Sequence, residues 1–462
     1  MNTGQLIVAS RIGLLLGAFA LASTLTGCAT YSESFGSIER NLSAHQYDAA
    51  LKDIEKQSGS KTDRVLYLLN KGMVLRMKRD FAGSNQMLEA AKAEMEKLYA
   101  ASVSENTLSF IVNDATVSYA GDDYEQVLVH LYMAFNYLEL GQPNDARVEA
   151  LQVDIKLREI GEKISGDKFT EDALSRYLTG LVYEELGEWS DAMIAYRKAY
   201  EAYQKYSVNF GVPIPDMLKH DLLRLAQREG LTDEAAIYSK EFGIALAQEG
   251  SLAPEQEGEL VFVLNNGLAP IKREKAAGLW VPPPTVAMNA TRSQKQTMPV
   301  MVNIALPYYE SRPNKVLSAR VSVSGKQAST QMMENIDAIA RASLDSRMPA
   351  ITARSIARAV AKGVIQESVD RAGNRKNDPA VELIGSLFVR VAAIATERAD
   401  TRSWLTLPAN VQLARLSVPP GSYTVTVDLL GAGERVIASR EYPGVVISKK
   451  HKTYLTQHWV AN

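Results

Sequence analysis

The sequence predicts an α+β protein: an N-terminal α-helical repeat array followed by an antiparallel β-sandwich-like domain that carries a helical hairpin insertion. Apolar residues recur at three- and four-residue spacing over residues 38–250, which is the period of helices packed on one face. Beyond that segment, short apolar or alternating runs are typical of strands, and the helical period returns over about residues 331–402. We therefore predict one domain at residues 38–250 and a second at residues 251–462.

The composition excludes several classes of protein. The 462 residues include 51 basic and 53 acidic side chains, a net charge of −2, with no basic block, so we predict no nucleic-acid partner. The single cysteine rules out an internal disulfide framework and any metal site built from cysteines. The five histidines are widely scattered, so neither a metal nor another cofactor is predicted.

The start of the chain has the features of a bacterial secretory leader. Arg11 precedes an apolar run, Ile12–Leu21, which has the length of a secretory signal and is shorter than the ~20 residues of an ordinary membrane span. The sequence Leu25-Thr26-Gly27-Cys28 follows and resembles the lipobox of bacterial lipoproteins. The resemblance implies a signal peptide over residues 1–27 and acylation of the Cys28 thiol. The alternatives are an ordinary signal peptide with an incidental cysteine, or a buried free thiol.

Lipidation would determine where the protein resides. A lipid on Cys28 would leave residues 28–37 as a tether, and several acyl chains hold a protein stably because each buried CH₂ contributes ~0.8 kcal/mol. Ala29 follows the cysteine, where the lipoproteins retained in the inner membrane of enterobacteria have Asp. The resemblance therefore implies a location on the periplasmic face of the outer membrane.

The clearest helical unit lies at Leu174–Tyr206 and resembles the tetratricopeptide repeat. The small and aromatic residues that carry the resemblance are Gly180, Tyr183, Gly187, Ala192, Tyr196 and Ala199. We expect Gly180 and Ala192 to let two helices approach closely, and Gly187 to occupy a left-handed turn between them. Tyr183 and Tyr196 are expected to fill the space between neighbouring helix pairs.

Four further segments follow the same scheme. They are Val127–Lys156 with Tyr137, Gly141 and Ala146, Leu66–Leu98 with Gly72, Leu42–Ile54, and Leu222–Ala247. Tyr137 and Tyr183 are 46 positions apart, whereas a regular array repeats every ~34 residues, so we expect insertions between units. A generic helical bundle is the alternative interpretation. In either case each helix pair has an apolar face that it buries by stacking on its neighbours, and a stacked array presents a groove for a peptide or protein.

The second half contains about eight segments with strand patterns. They are Glu259–Leu264, Val300–Leu306, Ala319–Val323, Val411–Leu416, Tyr423–Val427, Arg435–Ser439, Val445–Ile447 and Tyr454–Trp459. The first of these is apolar almost throughout, as expected for a strand buried on both faces. Between the strand groups, one helix is predicted to end near Gly373 and a second to begin at Asp378-Pro379, which together form the hairpin insertion.

The sequence contains no recognisable catalytic motif. We find no nucleophile elbow, phosphate-binding loop, His-Glu-x-x-His zinc site or dinucleotide fingerprint, so we assign no catalytic residue and predict that the protein is not an enzyme. Trp404 lies in a polar and aromatic cluster where the insertion returns to the sheet. Its ring is either an anchor for that junction or a contact for a binding partner.

Four features in order resemble a family of proteobacterial lipoproteins with tetratricopeptide-like repeats. They are the lipobox, the degenerate repeats, the segment Gly258–Pro270 and the segment Ala399–Pro408. This family is largely uncharacterised, and its members are often encoded near small lipoproteins that activate penicillin-binding proteins. The resemblance implies a role near peptidoglycan synthesis, and it brings no catalytic residue with it.

Together these observations predict a lipid-anchored periplasmic scaffold or adaptor that binds another envelope protein through its helical repeats. The alternative is a peptidoglycan- or polysaccharide-binding module, or a hydrolase, whose site lies in the C-terminal half. A hydrolase requires two converging carboxylates. A glycan-binding module requires exposed aromatic rings, for which Trp404 and Trp459 are the candidates.

Overall fold

The protein has a helical first half and a mixed second half, and the predicted α+β class is confirmed. The computed structural model describes residues 31–104, 117–163, 169, 171–247, 257–281, 300–373 and 398–460. The predicted signal peptide and Cys28 therefore lie outside the described residues. The second helix of the predicted insertion, from Asp378 onward, also lies outside them.

Eleven helices are described before the first strand. They are α1 (Tyr31–Ser34), α2 (Gly36–Ser43), α3 (Tyr47–Glu55), α4 (Arg64–Met77), α5 (Phe81–Ser104), α6 (Asp123–Glu139), α7 (Pro143–Lys163), α8 (Ala173–Glu185), α9 (Trp189–Phe210), α10 (Asp216–Arg228) and α11 (Thr232–Phe242). Helices α2 to α11 pack as five successive hairpins, and each hairpin packs on the next. Each of the five predicted units coincides with one hairpin.

The chain is already folded where the sequence predicts a tether. Helix α1 begins at Tyr31, and Phe35 between α1 and α2 is only 1 % exposed. The Ser32 hydroxyl lies 2.8 Å from the carbonyl oxygens of both Lys272 and Thr401, so this segment is fastened to the second half. The predicted tether therefore becomes part of the folded body from Tyr31 onward.

Ten strands are described in the second half. They are β1 (Gly258–Asn266), β2 (Ile271–Val281), β3 (Val300–Glu310), β4 (Ser318–Val323), β5 (Lys326–Ser329), β6 (Gln331–Asn335), β7 (Asn410–Val418), β8 (Gly421–Leu430), β9 (Val436–Ile447) and β10 (Lys452–Trp459). A central sheet has the order β10-β1-β7-β6, an outer sheet has the order β5-β4-β8-β9, and β2 pairs with β3 as a two-stranded ribbon.

The central sheet is buried on both faces. Successive side chains of a strand point to opposite faces, and in β1 Val261 and Val263 join the apolar core of the helices. Leu260, Phe262 and Leu264 point the other way and join a second core shared with β4, β8 and other strands of the outer sheet. The molecule thus has three layers: helical array, central sheet and outer sheet.

The strand arrangement differs from the predicted antiparallel sandwich in one pairing. Strand β10 pairs parallel to β1, with Glu259 opposite Lys452 and Asn266 opposite Trp459. These strands are far apart in the sequence, so no tight turn joins them and imposes an antiparallel direction. The central sheet is therefore mixed.

Two boundaries in the second half also differ from the prediction. Gln331–Asn335, assigned to the helical insertion, is strand β6 and pairs with β7, so the helix α12 begins only at Ile336. Arg435–Ser439 and Val445–Ile447, predicted as separate strands, fall largely within the single strand β9. Strands β2 and β5 were not predicted.

Helix α12 (Ile336–Gly373) is the described part of the insertion, and residues 374–397 lie outside the described residues. It continues through Pro349 and packs along β3 of the ribbon. Its first half also contacts α6 and β7. The ribbon and α12 therefore pack together as one unit that also contacts the helical array and the central sheet.

Candidate functional site

The inner face of the helical array is occupied by the protein's own sheet. The Tyr132 hydroxyl on α6 donates to Asn265 Oδ1 on β1 at 3.1 Å, and Arg76 Nη2 on α4 donates to Thr456 Oγ1 on β10 at 3.0 Å. Both donors belong to the first helix of a hairpin. The surface that the sequence suggests as a groove for a partner is thus covered by the central sheet.

A buried charge network fastens the last two hairpins to the sheet. Arg415 on β7 donates through Nε to Glu259 Oε1 at 2.7 Å, and its Nη1 contacts both Asp221 on α10 and the Tyr177 hydroxyl on α8. Tyr177 in turn donates to Asp221 at 2.8 Å. Burial acts to raise the pKa of Glu259, but the positive charges of Arg415 and Lys452 outweigh it and hold that pKa below its usual range.

The network continues to Glu184 on α8. Its carboxylate accepts a hydrogen bond from the Tyr196 hydroxyl at 2.8 Å and lies 3.5 Å from Lys452 Nζ on β10. Arg224 on α10 contacts the same carboxylate. Burial opposes ionisation, yet Lys452 and Arg224 lower the pKa of Glu184 far below its usual range. Since a buried charge is costly when it loses its partner, the network locks the array onto the sheet.

A second buried cluster surrounds Trp404. The ring is 1 % exposed and packs edge-on against Tyr132 with centroids 6.0 Å apart. Its backbone N–H donates to Glu125 Oε1 at 2.7 Å, and its indole Nε1–H donates to Thr406 Oγ1 at 2.9 Å. Trp404 is therefore an anchor, and its interpretation as a binding contact is wrong. Trp459 is only 9 % exposed, so neither tryptophan presents a ring for a glycan.

Two carboxyl groups are buried between α8 and strand β6. Asp172 caps α8 by accepting from the Ser175 N–H at 2.7 Å, and the Tyr206 hydroxyl lies 3.4 Å from Glu334 Oε1. Burial raises the pKa of Asp172 to about 6. Burial and the neighbouring charge of Asp172 raise the pKa of Glu334 well above its usual range. Both carboxyl groups therefore hold their protons in the fold more strongly than free carboxyl groups do.

The glycines of the clearest unit have structural roles. A Cβ on Gly180 would lie 2.2 Å from Tyr196 Cε1, so α8 and α9 approach too closely for a side chain there. Gly187 has φ +76° in the turn between these helices, a conformation that favours glycine. Gly141 has φ +69° in the equivalent turn between α6 and α7.

The other residues that resemble positions of the tetratricopeptide repeat also lie at helix contacts. Gly72 faces Leu88, with an added Cβ 3.0 Å from Leu88 Cδ2. The fully buried alanines are Ala146, Ala192 and Ala199. Tyr137 and Tyr183 are partly buried. None of these residues forms a reactive constellation, and no group of three or more His, Cys, Asp or Glu suited to a metal occurs among the described residues.

The outer face of the array carries an apolar stripe. Val148, Leu151 and Ile155 on α7 are 54 %, 44 % and 45 % exposed, and their spacing places them on one side of the helix. Ile194 on α9 is 48 % exposed beside them. Leu151, Tyr183 and Ile194 line a groove of about 210 Å³ between α7 and the fourth hairpin, which we call the outer groove.

Charges of both signs surround the outer groove. Asp154, Arg176, Asp191 and Lys198 also line it. Arg176 pairs with Asp154, and Lys198 Nζ lies 3.8 Å from the same carboxylate. An apolar floor with a polar rim is the usual composition of a protein-binding surface.

Sequence reasoning missed the residues that join the two halves. Arg415 and Asp221 are 194 positions apart, and nothing local in the sequence indicates that they meet. The available signal was Arg415, a charged residue within the strand pattern Val411–Leu416. A charge in such a run requires a buried partner.

Comparison with known proteins leaves the family open. No protein-family model matches the chain, and no curated protein matches it. A structure described as "Crystal structure of MamA" is 15 % identical, with 44 % of this chain and 90 % of that chain covered and a TM-score of 0.28. Another, of MamA AMB-1, is 15 % identical, with 48 % and 96 % covered and a TM-score of 0.28. At these scores the similarity identifies neither a family nor a function.

In the part of the chain that the structure describes, no helix combines the length and apolarity needed to cross a membrane.

Proposed function

We propose that the protein is a non-enzymatic, lipid-anchored adaptor of the cell envelope that binds a partner protein on the outer face of its helical array. The observation that carries this proposal is that the inner face of the array is covered by the sheet, whereas the outer face has an exposed apolar groove. The inner face is closed by hydrogen bonds such as Tyr132 to Asn265. The outer face leaves Leu151 and Ile194 exposed in a groove.

The occupant we propose for the outer groove is an amphipathic helix of another envelope protein. Such helices bind through apolar side chains spaced three or four residues apart. Leu151, Tyr183 and Ile194 supply an apolar floor for them. Lys198 and Asp191 at the rim supply one charge of each sign for the polar flank of the helix. A surface of this kind selects a partner by its shape and by the positions of its charged side chains.

The lipid anchor and the outer-membrane location are parts of the same proposal. They rest on the resemblance of Leu25-Thr26-Gly27-Cys28 to a lipobox, and Cys28 lies three positions before the first described residue, Tyr31. Since Ser32 is fastened to the second half, a lipid at Cys28 would hold the whole body close to the bilayer. A link to peptidoglycan synthesis is supported by the family resemblance of the sequence.

Site-specific photocrosslinking in native envelopes tests the proposal. A photoreactive amino acid at position 151 should capture a defined envelope protein, while the same group at position 208 should not. Val208 is the matched control because it lies on α9 outside the outer groove and is 86 % exposed. The double variant Leu151→Glu/Ile194→Glu should reduce recovery of the captured protein by at least about tenfold, because it places charges on the apolar floor.

Two results would contradict the proposal. Equal capture from positions 151 and 208 would show that the outer groove is not the docking site. Hydrolysis of isolated sacculi by the purified full-length protein would show that it is an enzyme after all. Mass spectrometry of the native protein would test the lipid on Cys28 separately.

A further inference from the structure

A polar cavity of about 160 Å³ lies between the ribbon, α12 and the segment that leads into β7. Ala305 and Pro307 of β3 form one wall, and Leu344 and Ile351 of α12 form part of another. These apolar groups place part of the lining in a low-dielectric surrounding. Ionic interactions inside the cavity are therefore stronger than at the open surface.

The basic side chains of α12 that line this cavity share one face of the helix. Arg347, Arg354 and Arg358 are separated by seven and then four positions, which places them on one stripe. Ser355 lies between the last two and is 1 % exposed. Arg358 Nη2 donates to the Ser355 hydroxyl at 3.2 Å, and a hydroxyl that accepts one hydrogen bond still carries a proton of its own.

Both carboxylates of the cavity already have cationic partners. Asp122 is shared by Lys272 Nζ and Arg347 Nη1, each at 2.9 Å, so two positive charges face one negative charge. Asp400 accepts two hydrogen bonds from Arg402, through Nε at 2.9 Å and Nη2 at 2.8 Å.

Arg354 adds a further positive charge to the wall. Its Nε lies 3.4 Å from the carbonyl oxygen of Ala350, and it contacts no carboxylate among the described residues. Without Arg358, the lining has three cations, Lys272, Arg347 and Arg354, and two carboxylates, Asp122 and Asp400, which is an excess of one positive charge. An excess of this kind in a partly closed cavity favours a bound anion.

We propose that this cavity is a binding site for a phosphate group. A phosphate monoester carries up to two negative charges and three strong acceptor oxygens. Lys272 and Arg347 can face it from one side and Arg354 from another, and the Ser355 hydroxyl can donate a further hydrogen bond. The volume suits one phosphate group, which can belong to a soluble ester or to a lipid headgroup. Binding there does not depend on the outer groove or on lipidation of Cys28.

Calorimetric titration of the purified full-length protein tests this site. Inorganic phosphate and short-chain phosphatidic acid, kept below its micelle concentration, are the two probes. We expect binding of at least one, with Arg354→Gln weakening it by about tenfold, since a hydrogen bond to a charged group is lost. The matched control is Arg320→Gln, because Arg320 is a partly exposed arginine on β4 that pairs with Glu434 far from the cavity.

The two probes distinguish the source of the phosphate group. Arg354-dependent binding of both indicates that the group alone is recognised, and binding of the lipid only indicates a headgroup; either result supports the site. Failure of both probes to bind would overturn the proposal. So would equal affinities of the wild type and Arg354→Gln. Because the Arg354 side chain is exposed, the variant is expected to fold normally.

Discussion

Arg415 on the central sheet and Asp221 on the last helical hairpin form a buried ion pair that joins the two halves of the molecule. Tyr177 and Glu259 complete the polar surroundings of the guanidinium. Without Arg415, two carboxylates would remain near each other in a largely buried junction. The helical array and the sheet therefore depend on each other for stability.

The first prediction concerns this pair. Arg415→Met should lower the free energy of unfolding by about 3–5 kcal/mol, because it leaves buried carboxylates without their partner. Arg320→Met removes a more exposed pair with Glu434 and should cost less than about 1 kcal/mol. Denaturant unfolding of both variants measures the difference. Equal losses would show that the Arg415 network is not a special determinant of stability.

The second prediction concerns acid. The folded-state pKa values of Glu184 and Glu259 are lowered, so these carboxylates stabilise the fold above their unfolded pKa of about 4.5. That stabilisation should be lost as the pH falls below about 4.5 toward the folded values. Between pH 7 and pH 3, the free energy of unfolding should fall more steeply for the wild type than for Arg415→Met. If the free energies of unfolding of the two proteins fell in parallel with pH, Arg415 would not be a cause of the lowered pKa values of Glu184 and Glu259.

The third prediction concerns Glu334, whose pKa is raised in the fold by burial and by Asp172. A carboxyl with a raised pKa stabilises the fold below its unfolded value of 4.5, and this contribution is lost as the pH rises toward the folded value. Glu334→Gln should therefore remove a stability slope of about 1.4 kcal/mol per pH unit above pH 5. The exposed Glu434→Gln is the control and should leave the slope unchanged. An unaltered slope in Glu334→Gln would refute the role of this carboxyl.

The fourth prediction compares two glycines within helices. Gly180→Ala should destabilise the protein by about 1–3 kcal/mol, since the new Cβ would overlap the Tyr196 ring. Gly161 on α7 has no atom within 4 Å of an added Cβ. Gly161→Ala should therefore stabilise the helix by about 0.5–1 kcal/mol. Thermal unfolding distinguishes the two, and a shift of the same sign in both would count against the close approach at Gly180.

The sequence was most informative where local patterns decide the structure. The small residues at Gly180 and Ala192 mark a hairpin, and the apolar run at Glu259–Leu264 marks a strand buried on both faces. Strand β6 lies at the start of the segment predicted as helical, and Gln331–Asn335 consists largely of Gln, Met and Glu, which favour helices. Pairing with β7 overrides that preference.

Contacts between distant segments could not be predicted in this way. The parallel pairing of β1 with β10 and the ion pair of Arg415 with Asp221 depend on how the three layers assemble. The closed inner face of the array is a consequence of that assembly. Sequence patterns show that α6 has an apolar side, and they do not show that β1 covers it.

Amide hydrogen exchange of the full-length protein tests most directly whether the central sheet closes the inner face of the array. We expect slow exchange in α6 and β1, and Arg415→Met should accelerate exchange in both together. Peptides of the outer sheet strand β9, much of which is exposed, should exchange faster in the wild type. If Arg415→Met accelerated exchange in only one of α6 and β1, or if wild-type α6 exchanged as fast as β9, the central sheet would not close the inner face of the array.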